Sequence, residues 1–121
     1  NPDGVTALAR HLDEAGLSGR VDLVFGGLAD KDLASMLALL LPRARRAVLT
    51  APDSPRAEDP RDLAERIGRL DLPSAPLGRA LELLDAAETP DAAPILVTGS
   101  LVLVGSALAL VRAERAVSSQ S

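Results

Sequence analysis

Three short stretches hold the side chains best suited to gripping a small anion. "GGLADKD" at 26–32 carries Asp30, Lys31 and Asp32. "TAPDSPR" at 50–56 carries Asp53 and Arg56, and "TGS" at 98–100 sets Gly99 before the Ser100 hydroxyl. One ammonium, one guanidinium and one hydroxyl on glycine-bearing turns suit a small molecule with a carboxylate. Each residue also has a plainer role. Asp30 or Asp32 can cap a helix, Lys31 can be a solvated surface charge, and Ser100 can cap the segment that follows it. Arg56 can brace its own loop by pairing with Asp53 or Glu58. Of the 13 basic residues only Lys31 is a lysine, which hints at a position needing an ammonium rather than a fork of donors.

These residues do not form a complete catalytic constellation. His11 is the only histidine, so a Ser-His-Asp triad has one candidate, and it falls on a helix flank. Neither G-x-x-x-x-G-K-[ST] nor G-x-G-x-x-G occurs, so the chain by itself holds a nucleotide poorly. With no cysteine, thiol redox chemistry, disulfides and thiolate metal sites are excluded, and no metal site is expected.

The elements that must position these residues follow from hydropathy patterning. In "NPDGVTALARHLDEAGLSGR", Asp3 reads as a helix cap, with Val5, Leu8, Leu12 and Ala15 near one face and Gly16 as the stop. "VDLVFGG" at 21–27 reads as a strand ending in a glycine pair. "DKDLASMLALLLP" predicts a helix with Leu33, Met36, Leu37, Leu40 and Leu41 inward. A second strand is predicted at 46–50, a Pro-rich loop at 51–60, a helix at 61–69 and a brief strand at 70–73. A helix from 76 follows, with Leu77, Ala80, Leu81 and Leu84 inward, and then a strand from 94. The tail "AVSSQS" is expected to be disordered.

"APILVTGSLVLVG" at 93–105 is open to two readings. Thr98-Gly99-Ser100 can be a hairpin turn, or a tight loop from a buried strand into a helix. Leu101, Val104, Leu108 and Val111 track a period of 3.6, and Arg112 and Arg115 suit a helix C-terminus, which favours the helix. Strands with apolar interiors, alternating with helices, imply an α/β fold. The expected form is a three-layer, Rossmann-like, mainly parallel sheet flanked by helices. Ligands of such sheets sit beyond the carboxyl ends of the strands, where all three stretches lie.

Composition narrows the class further. A length of 121 residues implies one domain, and 47% apolar content supports a real core. Phe25 is the only aromatic residue and the net charge is −4, with basic residues scattered apart from a short cluster at Arg43–Arg46. No nucleic-acid partner is therefore expected. With no membrane-length apolar run or signal peptide, no membrane association is expected and a cytoplasmic location is the default.

Four stretches in register carry a family resemblance: "NPDG" at 1–4, "LVFGGLADKDLASMLALLLP" at 23–42, "VLTAPDSPRAEDP" at 48–60 and "ILVTGSLVLVG" at 95–105. Together the chain resembles, up to about Val111, the C-terminal domain of folylpolyglutamate synthase. Bacterial forms of that enzyme often double as dihydrofolate synthase, in the folate branch of the muramyl-ligase superfamily. The family's opening motif usually reads Asp-Gly-Ala-His-Asn-Pro after a strand, and this chain begins at its Asn1-Pro2. The resemblance thus implies a fragment without the domain's first strand and without the N-terminal ATP-binding domain. Strain, pairing or self-association is expected where that strand is missing.

The activity implied is ATP-dependent addition of L-glutamate to the carboxylate of folate, and in dual-function forms of dihydropteroate, through an acyl phosphate. ATP and Mg²⁺ would be held mainly by the other domain, and the fragment alone would be inactive. Carried over by position, Ser100 matches a glutamate-contacting residue. Lys31 is similar to a lysine that holds the glutamate side-chain carboxylate in related ligases. Asn1 belongs to the motif flanking the reaction centre, and Arg56 matches a cleft arginine of looser role. Asp30, Asp32 and Gly99 fall in the same cleft. Val102 departs from the family's usual tyrosine, which removes an expected aromatic contact. Two alternatives stay open: a muramyl-ligase C-terminal domain adding an amino acid to a cell-wall precursor, and a non-catalytic α/β module binding a small acid. Muramyl ligases tend to carry a basic residue after Asn-Pro, and Asp3 follows Pro2 here, which favours the folate branch.

Overall fold

A computed structural model describes residues 2–85, 93–100, 103–105 and 110. Their order is α1 (Pro2–Glu14), β1 (Val21–Phe25), α2 (Leu33–Leu40), a 3-10 turn (Leu41–Arg43), β2 (Ala44–Leu49), α3 (Pro60–Arg66), α4 (Leu77–Asp85) and β3 (Ile95–Thr98). The strands form one parallel sheet in the order β2-β1-β3. Val24 of β1 sits opposite Val48 of β2 on one side and Val97 of β3 on the other.

Strand alternation divides the core into two layers. Leu23, Phe25, Ala47 and Leu49 pack on one face of the sheet with Val5 of α1, Leu33, Met36, Leu37 and Leu40 of α2, and Leu63 and Ala64 of α3. Val24 and Val48 pack on the other face with Ala80 and Leu84 of α4. The result is the three-layer α/β arrangement that the apolar strands implied. All five residues of β1 are buried, as a central strand covered on both faces requires. The four residues of β3 are only half-buried, and β3 pairs with β1 alone among the described strands.

Several local expectations shift. The first helix starts at Pro2, so Asp3 lies inside it and not at its cap. Proline at the first helical position is tolerated there because its missing N–H would be unpaired anyway. Ala9 joins Val5 and Leu12 in the core, whereas Ala15 falls beyond the helix end and is exposed. Leu41 leaves α2 for the 3-10 turn, where Pro42 sits, because proline cannot continue the α-helical bonding. No strand forms at 70–73. The chain turns there, with Leu72 N–H donating to Arg69 O, and only Ser74 makes a single parallel bridge to Leu49.

Asp32 caps α2 by accepting from Ser35 N at 3.3 Å. Asp59 caps α3 by accepting from Arg61 N and Asp62 N. Residues 103–105 and 110 are helical, and Val104 N donates to Ser100 O at 3.1 Å. The strand–loop–helix reading of 93–105 holds, and the hairpin does not form. Leu101, Val102, Leu108, Val111, Arg112, Arg115 and the tail lie outside the described residues.

Candidate functional site

The carboxyl ends of the three strands meet in one row, and glycines make the approach possible. A Cβ on Gly26, just past β1, would lie 2.2 Å from the Thr50 carbonyl oxygen just past β2. A Cβ on Gly99, just past β3, would lie 2.2 Å from the Gly26 carbonyl oxygen, and Gly99 has φ +118°. No L-residue fits that backbone without strain. The row Thr50, Gly26, Gly99 therefore brings the three loops side by side.

On the β3 side, Ser100 is half-buried and its Oγ accepts from Leu103 N at 3.2 Å. Acceptance uses a lone pair and leaves the hydroxyl proton for another acceptor. Ser100 and Gly99 border a hollow of about 270 Å³. Gly4, Val5 and Leu8 of α1, Met36 of α2, Thr98 and Val104 complete its mostly apolar wall. Nothing in the patterning of α1 singled out Gly4, Val5 and Leu8 as site walls, since the same spacing serves ordinary core packing.

On the β2 side, the loops after β1 and β2 are clasped together. Ala29 N donates to Arg56 O at 2.8 Å, Glu58 N donates to Gly27 O at 2.9 Å, and Leu28 and Ala57 form an antiparallel bridge. Arg56 pairs with Asp30 at 3.7 Å, both exposed, and not with Asp53 or Glu58 as its loop position suggested. Glu58 instead pairs with Arg66 at 2.8 Å. The β1–β2 clasp brings Asp30 closer to Arg56 than either acid on the arginine's own loop. Hydrogen bonds from the Ser35 side chain and backbone hold the Asp32 carboxyl below its ordinary range, which fits its capping role. Lys31 is exposed on the same turn, with its N–H donating to Leu28 O and its carbonyl accepting from Leu33 N. It does not line the hollow beside Ser100.

The candidates thus fall into two groups along one edge. Gly99 and Ser100 share a hollow, while Asp30, Lys31, Asp32 and Arg56 share the clasped loops. Asn1 lies outside the described residues. Thr50, just past β2 within the row, is 2% exposed, and its Oγ1 has no hydrogen-bond partner among the described residues. No group of three or more His, Cys, Asp or Glu that could hold a metal ion occurs among the described residues. None of the described helices is long and apolar enough to cross a membrane.

A parallel sheet flanked by helices, with glycine-built loops along its carboxyl edge, defines a domain of the Rossmann-like α/β class. Residues 1–108 match the model of the Mur ligase glutamate ligase domain, and the chain belongs to that family. Among solved structures, folylpolyglutamate synthase of Mycobacterium tuberculosis complexed with ADP is 35% identical, with a TM-score of 0.71 over 91% of this chain and 28% of that one. FolC of E. coli in complex with DHPP and ADP is 27% identical, with a TM-score of 0.82 over 95% of this chain and 27% of that one. A bifunctional folylpolyglutamate synthase/dihydrofolate synthase with Mn, AMPPNP and L-glutamate bound is 25% identical, with a TM-score of 0.75 over 93% and 27%. The chain spans about a quarter of the length of the synthases it matches. No curated protein matches it significantly.

Proposed function

We propose that this chain is the glutamate-ligating domain of an ATP-dependent acid–amino-acid ligase that extends a folate, or dihydropteroate, with L-glutamate. An N-terminal domain of the same enzyme would hold ATP and its metal, and the reaction is expected inside the cell. The substrate carboxylate oxygen attacks the γ-phosphorus of ATP, the bond to ADP breaks, and an acyl phosphate forms. The glutamate amine then attacks the acyl carbon. The tetrahedral intermediate collapses to the amide, releasing phosphate and a proton. The domain's own task is to hold the amine at the acyl carbon, which is a matter of orientation.

The observation that carries this reading is the family match over 1–108, with the glycine row setting Ser100 beside a hollow at the sheet's carboxyl edge. In it, the Ser100 hydroxyl donates to glutamate while its oxygen caps the following turn. Lys31 supplies an ammonium for a carboxylate, and Asp30 and Arg56 shape the rim. Asn1 flanks the reacting centre. The nearness of the three synthase structures favours the folate branch over a cell-wall ligase or a non-catalytic module.

The test uses the longest protein that contains this chain. Ser100→Ala and Lys31→Met should each lower kcat/KM for glutamate by about 1–3 kcal/mol of transition-state binding, with ATP affinity nearly unchanged. Ser100→Thr keeps the hydroxyl and should recover most of the loss, which separates ligand contact from a missing side chain. Equal losses for ATP and glutamate would count against the assignment.

A further inference from the structure

At the amino end of the sheet, remote from the glycine row, β1 and β2 fall out of register. Val21 pairs with Ala44 but Asp22 pairs with Arg46, leaving Arg45 as an extra residue. Consecutive strand residues normally point to opposite faces, and a bulge of this kind re-aims a side chain. Here both arginines reach the same carboxylate. Arg45 donates to Asp22 from Nε at 3.2 Å and Nη2 at 3.1 Å, and Arg46 does so from Nε at 3.3 Å and Nη2 at 2.6 Å. Asp22 is 1% exposed. Burial pushes its carboxyl upward, yet the hydrogen bonds from Arg46 and Arg45 outweigh this and hold it below the ordinary range.

Both arginines line a cavity of about 470 Å³ between the outer edge of β2 and α4, together with Arg69, its ion-pair partner Asp71 and the apolar Leu72, Leu83 and Leu84. Arg46 is tied to α4 by Nη2 donating to Leu84 O at 3.3 Å. Its Nη1, and that of Arg69, carry no hydrogen bond among the described residues, while Asp71 holds the Arg69 Nε and Nη2. The cavity wall thus combines leucines with three guanidinium groups, two of them tied to the buried Asp22 and one to Asp71. Leu83 at its wall is 40% exposed.

From these features we infer that this cavity is a second ligand site, for a small organic anion with an apolar body and a carboxylate head. The head meets the Arg46 and Arg69 guanidinium groups, where planar donors match carboxylate oxygens. The body lies against Leu72, Leu83 and Leu84. The buried Asp22 holds Arg46, and Asp71 holds Arg69, before the ligand arrives, which lowers the ordering cost of binding. This inference does not depend on the proposed ligase activity.

The test is a titration of the ¹⁵N-labelled chain with 4-phenylbutyrate, using its neutral amide as control, followed by NMR. Saturable shifts are expected at Arg46, Arg69, Leu83 and Leu84, with the amide roughly tenfold weaker or worse. Arg69→Gln and Leu83→Glu change exposed side chains, so both should fold, and both should weaken carboxylate binding by roughly tenfold. Equal binding of carboxylate and amide, unchanged affinity in both variants, or shifts confined to the Ser100 hollow would each overturn the site.

Discussion

The two ends of this sheet are built on opposite plans. The carboxyl end removes side chains, so that Gly26 and Gly99 let backbone meet backbone, and it leaves the Thr50 hydroxyl without a partner among the described residues. The amino end adds charge, with two guanidinium groups on one buried carboxylate and a register shift to bring them there. One end closes by backbone approach and leaves a polar atom without a partner among the described residues; the other ties a buried carboxylate to two guanidinium groups. The same β1 strand serves both, with Asp22 at one end and Gly26 beyond the other.

The largest effect should come from filling the glycine row. Gly99→Ala sets a Cβ against the Gly26 carbonyl at a φ that L-residues avoid, for an expected cost of about 4 kcal/mol from strain and overpacking together. Urea unfolding would measure it. A loss under about 1 kcal/mol would mean that the row relaxes and does not fix the loops.

At the opposite end, Arg45→Ala combined with Arg46→Ala strips Asp22 of the four guanidinium hydrogen bonds described above. Breaking a buried pair typically costs 3–5 kcal/mol. Both arginine side chains are about a third exposed, so water reaches the vacated space and about 3 kcal/mol is expected. Asp22→Asn isolates the charge and gives a pH signature. Because the folded Asp22 carboxyl sits below its ordinary range, its contribution is fully present above the unfolded value near ~3.9 and is lost as pH falls through the folded one. The stability gap between parent and Asp22→Asn should therefore be wide at pH 7 and shrink below about pH 4. A gap that stays constant with pH would show that the charge of Asp22 is not what anchors the amino end.

The two ends also differ in how legible they were. The carboxyl edge could be read from sequence because glycines and loop polar residues lie just after apolar runs, and a parallel sheet puts those positions together. Which loops clasp is not readable from sequence: loop position points Arg56 to acids of its own loop, and its partner is Asp30 on the neighbouring one. The amino end carried a signal that pattern reading passed over. A lone carboxylate inside "VDLVF" is a buried acid in need of a cation, and "RARR" at 43–46 supplies one. What patterning could not show is the register shift that lets both Arg45 and Arg46 answer it, since alternation assigns neighbouring residues to opposite faces.

The smallest expected effect sharpens the contrast most. Thr50 is isosteric with valine, its Oγ1 has no partner among the described residues, and its methyl group already packs toward Gly26, with Cγ2 3.2 Å from where a Cβ there would be. Removing an unpaired buried hydroxyl costs no hydrogen bond and relieves its desolvation. Thr50→Val should therefore leave stability within about 0.5 kcal/mol of the parent or raise it slightly. The same change at a saturated polar group would be expected to destabilise by about 1 kcal/mol or more. If Thr50→Val is clearly destabilising in urea unfolding, the hydroxyl has a partner in solution and the contrast between the two ends narrows. If stability is kept but glutamate use falls in the longer protein, the orphan hydroxyl serves the ligand and the plan of that end has its reason.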